Sequence, residues 1–437
     1  MLELIKKNKG IIVICVLYGI ILFIIFTLIV GDTLPSVDGY NILAKHLLSD
    51  SFFSYDGVNA QYNRTPGYPF FLVAIYFFCG DDRTVVIIQI LLTLINVYLF
   101  YRILIMLSVP KRLSLLGTIL SLCYLSAVSQ IFTIQSETLF GFFLLLSLYF
   151  FVCFIKNKNL WVFFGFCLSL NYALFVRTIL LYFNILVCFA LLVAFIFKKM
   201  QLKYFVLFIL CFIIVFGGWS YRNYVHSGVF VFSTAQQDNK QRYYAPFITA
   251  RIKGIPLYEG ATEYHREMFM REYSEVESGN LNEAQIAVLR GKYGSQFIRN
   301  NLSEYIMVNI NGFLNEMLAV GFDPNRTRQE YKRGRLLFLL ESNLYWLSQV
   351  YIYIVYSLCL ISLCIAFKKR DTIQISIFLL CGYLSVPGAI FGDPRYRDPF
   401  FPLLLLGAIS NSGIIIHWLS AKLHIPILQR IENYLLS

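Results

Sequence analysis

Charge is what this sequence has least of. Of its 437 residues only 14% are Asp, Glu, Lys or Arg, whereas soluble domains carry about a quarter. With 58% of the chain hydrophobic, there is too little polar surface to cover a water-soluble core. Histidine is also scarce, at five residues. Only His46, His226 and His265 fall in connections read as outward-facing, and no two of them stand at ligand spacing, which argues against a histidine-built metal site. Nine of the ten cysteines (Cys15, Cys123, Cys153, Cys167, Cys188, Cys211, Cys359, Cys364, Cys381) lie in apolar runs and Cys79 ends one, so they read as inert buried thiols without a disulfide framework. There is no Gly-rich nucleotide-binding loop, no internal repeat, no low-complexity tract and no soluble domain. A cytoplasmic enzyme fed by a soluble nucleotide-sugar is thereby excluded.

What the chain has in abundance is long apolar runs. Ten read as membrane spans: 11–30, 84–108, 113–133, 138–155, 160–176, 178–197, 204–220, 343–367, 372–391 and 398–418. The first follows Lys6, Lys7 and Lys9. It is followed by "VGDTLPS", which has no small-residue cleavage pattern, and is read as an uncleaved span. The net charge of +12 does not point to nucleic acid, because many of the basic residues cluster between spans. Lys111–Arg112, Lys156 with Lys158, Lys198 with Lys199 and Lys203, Lys368–Arg370, and the tail with Lys422 and Arg430 alternate with connections poor in Lys and Arg. The positive-inside rule then places both termini in the cytoplasm.

The run from Gly67 to Cys79 does not fit as a span. As a helix it covers about 20 Å, against the ~30 Å of a hydrocarbon core. Counting it as an eleventh span would put lysine clusters outside. It is expected to dip into the outer interface or pack beside the bundle. The expected organisation is all-α and polytopic, with about ten transmembrane helices and two long extracytoplasmic loops carrying interfacial helices. Residues 1–220 form a membrane bundle with a first outer loop at 31–83, residues 221–341 an outer cap, and residues 342–437 the last transmembrane helices. Between Glu263 and Leu318 the cap has the periodicity of two successive amphipathic helices.

Charges beside apolar spans need a partner, water or a function. Several gather on the outer side: Asp38 in "LPSVDGYNILAKHLL", Arg64 in "RTPGYP", Glu137 in "IQSETLF", Arg177 in "LFVRTIL", Arg222 with Asn223 after Trp219, and Arg395 with Arg397 in "GDPRYRDPFFP". A ring of acids and arginines at one depth is what a site for an anionic lipid headgroup would look like. Plainer readings stay open. Arg177 and Arg222 are also placed to snorkel, Asp393 and Asp398 to pair with Arg395 and Arg397 in a structural turn, and Glu137 to cap its own turn.

The succession "RTPGYPFFLVAIYFFCG", "VVIIQILLTLINVYLFYRI", "SETLFGFFLLLSLYFF", "RNYVHSGVFVFST" and "RYRDPFFPLLLL" resembles the C-type glycosyltransferases that use polyprenyl-phosphate sugars. The likeness is to the group of protein mannosyltransferases and aminoarabinose transferases. It covers the chain to about Ser233 and again from about Gly382. The resemblance implies that Asp38 is the first-loop catalytic aspartate and Glu137 the second acid. Asp38 stands two residues before Tyr40, closer than in many relatives, so Asp32 and Asp56 are fallback candidates. Arg64 to Pro69 match a segment beside the active site. Arg395, with Tyr396 and Arg397, matches a late motif that contacts the lipid phosphate, with Arg222 and Arg64 as further phosphate ligands. Tyr40, Tyr68, Arg177, Asn223 and Tyr396 are expected to line the substrate cavity.

The implied activity is an inverting transfer of a sugar, a hexose such as glucose, from a polyprenyl-phosphate carrier to an O-antigen, another envelope glycan or a lipid. It is expected on the periplasmic face of a bacterial inner membrane. No cofactor is required in this scheme, and a divalent metal is left open. Two other classes are weighed. A flippase for lipid-linked oligosaccharide calls for ionisable residues within spans, and almost none are present. A polysaccharide polymerase shares the architecture but lengthens chains from a lipid-diphosphate donor. A bare membrane scaffold leaves the outer arginines unexplained.

Overall fold

The computed structural model describes residues 8–29, 34, 36, 38–264, 281–319, 335–423 and 426–436. Among them the regular structure is helical, with two isolated bridges, Ser36 to Ile134 and Ser54 to Ala60. Seven helical segments are long and apolar enough to cross a membrane: Lys9–Leu28, Asp82–Met106, Glu137–Asn157, Thr178–Ile196, Leu202–Ser227, Tyr345–Lys369 and Thr372–Phe391. Their outward faces are greasy. Phe189, Ile214 and Leu379 are each more than 60% exposed, which lipid tolerates and water does not.

The expected count of ten spans is not reached by this measure. The run at 113–133 is broken into Lys111–Leu122 and Leu125–Ile131, bent by 63°, and the last run into Phe401–Ser410 and Ser412–Lys422, bent by 43°. Counting each bent pair as one span gives nine among the described residues. The tenth run, Leu160–Val176, is a helix of 17 residues, about 26 Å long and so shorter than a typical hydrocarbon core.

The Glu137–Asn157 helix packs between Leu160–Val176 and Asp82–Met106. One continuous apolar core runs from Tyr40 and Tyr68 through Phe140 and Leu170 to Leu403 and Leu406. Gly67–Cys79 is a separate 13-residue helix that rests against the end of Leu160–Val176. Thr65 donates its hydroxyl to the Val176 carbonyl at 2.6 Å, and the Tyr172 hydroxyl donates to the Gly67 carbonyl at 3.1 Å. Tyr68 donates to Gln89 Oε1 at 2.9 Å, and Gln89 Nε2 donates to the Ile131 and Thr133 carbonyls. The short segment thus fixes the first outer loop against three helices.

The cap contains Glu283–Asn300 and Leu302–Leu318, two helices that meet at Asn301. Asn282 and Gln285 form a reciprocal capping box at the start of the first. The second presses against the 389–391 turn. A Cβ on Gly312 would overlap the Ala389 carbonyl oxygen, so this crossing requires glycine.

Candidate functional site

Four separate pieces of chain converge on one charged cluster, and each is held by its own local chemistry. Asp38 lies just before the Tyr40–Ser49 helix, where Asp38 has φ 67° and Gly39 φ 65°. Two consecutive left-handed residues need a short polar side chain and a glycine. The Tyr55 hydroxyl donates to the Asp38 carbonyl at 2.7 Å, and the Ser36–Ile134 bridge ties the approach to this turn to the chain before Glu137. Replacing Gly39 by Ala would bring a Cβ to 2.8 Å from the Tyr55 ring. This variant should lose ~1–2 kcal/mol of stability from backbone handedness alone, read as a lower thermal midpoint.

Glu137 is the first residue of its helix, where the positive end of the helix dipole favours a carboxylate. Arg177 sits at the break after Leu160–Val176, in extended conformation. Arg395 is on a short 3-10 turn, Pro394–Tyr396, whose start is capped by Asp393 accepting from the Arg395 backbone N–H at 2.9 Å.

These side chains form one chain of alternating charge. Arg64 Nη2 donates to Asp38 Oδ1 at 2.7 Å, and Arg395 Nη2 reaches Asp38 Oδ2 at 3.5 Å. Arg395 Nε donates to Glu137 Oε1 at 2.5 Å, and Arg177 Nη1 meets the same oxygen at 2.9 Å. Glu137 is 2% exposed, whereas Asp38 and Arg395 are 25% and 30% exposed. Glu137 is therefore a buried anchor for two guanidinium groups, and Asp38 and Arg395 are the members that face outward. Tyr40 underlies Arg64, with the guanidinium 5.8 Å from its ring, and Tyr396 lies at the same distance from Arg177.

Other candidates are elsewhere. Arg397 is fully buried and donates to the Tyr124 hydroxyl and to the Glu316 and Met317 carbonyls. A side chain so enclosed does not meet a headgroup beside Asp38, and the structure does not bring Arg397 into the cluster. Arg222 donates to the Gln61 carbonyl and Asn223 Oδ1 and lies over Phe53, Tyr62 and Trp219. Asn223 donates to the Val231 and Phe232 carbonyls. Arg222 thus ties residues 53–61 to its own helix and Asn223 ties that helix to residues 231–232, and neither bonds a member of the charged cluster. Tyr68 is fully buried behind Tyr40 and lines no open space. Arg177 does not snorkel, because Glu137 holds it. Asp398 does not pair with Arg395; it accepts from Tyr124, Ser126 and Gln130.

Of the fallback acids, Asp32 lies outside the described residues. Asp56 accepts from Ser54, Asn59 and two backbone N–H groups of its own loop, and these bonds hold its carboxyl below the usual range. No group of three or more His, Cys, Asp or Glu able to hold a metal ion occurs among the described residues.

Glu316 is a residue that sequence reading passed over. It is fully buried beneath the turn carrying Arg395, and neither carboxylate oxygen has a hydrogen-bond partner. A Cβ on Gly388 would lie 2.7 Å from both Glu316 Oε2 and Tyr396 Cβ. Burial pushes its carboxyl up to about 8, against the pull of Arg397 and with Asp393 and Asp398 adding to the rise. The folded protein therefore keeps a proton that the unfolded chain releases above about 4.5. That contribution to stability is complete below the unfolded value and is lost as pH rises through about 8. Thermal midpoints at pH 6 and pH 9 should fall with pH in the parent protein and fall less in Glu316→Gln.

No protein-family model and no curated protein matches this sequence. Solved structures do match it. ArnT from Cupriavidus metallidurans aligns at 12% identity over 95% of this chain and 81% of its own. Its TM-scores are 0.41 bound to undecaprenyl phosphate and 0.40 in the apo state, too low to argue from. The archaeal oligosaccharyltransferase AglB from Archaeoglobus fulgidus, in complex with an inhibitory peptide and a dolichol-phosphate, aligns at 12% identity with a TM-score of 0.50. That alignment covers 98% of this chain and 52% of AglB, so the chain spans about half of that enzyme's length. At this identity the likeness speaks for the fold alone: the helical arrangement of this chain is similar to that of AglB.

Proposed function

We propose that this protein is an inverting glycosyltransferase that takes a sugar from a polyprenyl-phosphate carrier. The sugar, a hexose such as glucose, goes to an O-antigen, another envelope glycan or a lipid on the periplasmic face of a bacterial inner membrane. The observation that carries the reading is the bridge made by Arg395 between Asp38 and Glu137. It joins residues 357 and 258 positions apart in the chain into one group of three guanidinium and two carboxylate side chains, with Glu137 buried and Asp38 and Arg395 facing outward. The surplus of one positive charge suits a phosphate ester, and the dolichol-phosphate in the AglB complex supports a lipid monophosphate as its source.

The chemistry follows from the charges. The acceptor hydroxyl attacks the anomeric carbon and gives its proton to Asp38. The new oxygen–carbon bond forms as the bond to the phosphate oxygen breaks, and the electron pair leaves with the polyprenyl phosphate. One displacement inverts the anomeric centre. Arg395, with Arg64 beside it, receives the charge that grows on the phosphate. Glu137 takes no proton; with its two cation partners it holds Arg395 and Arg177 in place. No nucleotide enters this scheme, because the sugar crosses the membrane already attached to its carrier.

Deletion of the gene tests the reading in cells. Mass spectrometry of the envelope glycans should show one hexose lost per acceptor unit, with the distribution of chain lengths kept. Shortened chains would instead point to a polymerase.

A further inference from the structure

Beside the charged cluster lies an open cavity of about 800 Å³, within the ~300–1,000 Å³ of small-molecule sites. None of the steps above uses it. Its wall is aromatic and already ordered. Tyr396 stacks on Phe391 with ring centroids 5.0 Å apart, and Phe391 meets Tyr243 edge to face at 5.4 Å. Tyr243 and Tyr258 stand 46% and 71% exposed on this lining. Arg242 and Asp393 supply a donor and an acceptor at the same surface.

We propose that this cavity is the acceptor subsite and that its ligand is a saccharide. The inference rests on the glycosyl-transfer reading and narrows its acceptor from glycan or lipid to glycan. Three features carry it. The first is the pairing of aromatic faces with charged hydrogen-bonding groups, which suits a ring with one C–H face and hydroxyls at its edge. The second is the setting. The cavity is built by the helix Ala245–Lys253, residues 257–264 and the 391–396 turn, and an ion pair from Lys253 to Glu263 at 3.1 Å joins the first two. A second pair, Arg251 to Glu304 at 2.7 Å, flanks the same helix. Both pairs lie outside the lining and brace its walls from behind. The third is continuity with the chemistry. Tyr396 lines the cavity while Arg177 lies 5.8 Å from its ring, and Arg395 is its neighbour in sequence. A sugar stacked on Tyr396 therefore stands next to the outward-facing carboxylate and guanidinium groups.

The test uses the full-length protein in lipid nanodiscs. The probe is lipid-free polysaccharide released by mild acid from the envelope of the source cells. Equilibrium dialysis gives its dissociation constant for the parent protein and for the double variant Tyr243→Ala with Tyr258→Ala. Both rings are exposed, so their removal leaves the core intact. Binding should weaken about tenfold, the combined effect of two aromatic contacts. In a transfer assay the KM for polysaccharide should rise by a similar factor while the KM for undecaprenyl-phosphate glucose stays within about twofold. Equal binding by parent and variant overturns the assignment, and so does displacement of the polysaccharide by undecaprenyl phosphate. Loss of polysaccharide binding in the variant, with no transfer by the parent protein, keeps the saccharide subsite and refutes the transferase reading alone.

Discussion

Asp38→Asn is expected to lower kcat by ~10²–10⁴-fold, the usual contribution of a positioned general base. The substitution keeps the shape of the side chain. Asn also tolerates the left-handed backbone that Asp38 occupies at φ 67°, and its amide oxygen still accepts from Arg64. What is lost is the proton acceptor. The KM for donor should change by far less than kcat, because the amide oxygen keeps Arg64 and only the 3.5 Å contact with Arg395 is given up, while Glu137 still holds Arg395. Initial rates at saturating donor, measured beside the thermal midpoint, separate this loss from unfolding. A variant that turns over at the parent rate would remove Asp38 from the chemistry.

Arg395→Ala is expected to cost about 10²–10³-fold in kcat, the scale seen when a donor to developing negative charge is removed. Two effects combine. The leaving phosphate loses the guanidinium that faces it, and Glu137 loses its shortest contact, at 2.5 Å, while remaining 2% exposed. Arg177 still pairs with Glu137 at 2.9 Å, so the fold should persist. Arg395→Lys should recover little. The native side chain uses Nε for Glu137 and Nη2 for Asp38, and a single ammonium does not span that fork. Recovery of most activity in the Lys variant would mean that charge alone matters at this position.

Much of the site was legible because its members are costly residues in cheap surroundings. Asp38, Arg64, Glu137, Arg177 and Arg395 are charges standing close to the ends of apolar runs, and the structure brings all five together. Periodicity carried no information on which arginine of "RYR" would join them. Arg395 and Arg397 stand two residues apart, yet a 3-10 turn capped by Asp393 sends one into the cluster and the other into the core against Tyr124. Arg222 and Asn223 looked equivalent to the cluster in depth and polarity. Their partners are backbone carbonyls of loops, and no pattern in the sequence reports loop closure. Glu316 was hidden because a Glu on an amphipathic helix normally reads as a wet face. The signal was the glycine four residues earlier, which lets the helix approach the 389–391 turn and traps the carboxyl beneath it.

The count of about ten spans stands unconfirmed for a related reason. Hydropathy measures how greasy a run is and takes no account of its direction. The break at Cys123–Tyr124 falls within a largely apolar run, and the one at Asn411 within the short polar stretch "SNSG" of an otherwise apolar run. At the first break Tyr124 is drawn inward to stack on Phe401 at 3.7 Å and to donate to Asp398. These are long-range contacts that bend the helix for the sake of the core. The Gly67–Cys79 segment was easier to read as a separate element, since its 13 residues end in polar sequence on both sides.

The most direct test is stoichiometric. Purified protein is given undecaprenyl-phosphate glucose and lipid-free polysaccharide, and both products are counted. One undecaprenyl monophosphate should be released for each glucose gained by the polysaccharide, with the anomeric configuration inverted and with Asp38→Asn nearly silent. Glucose transfer with retained configuration, carrier release without transfer, or full activity in the Asn variant would contradict the account.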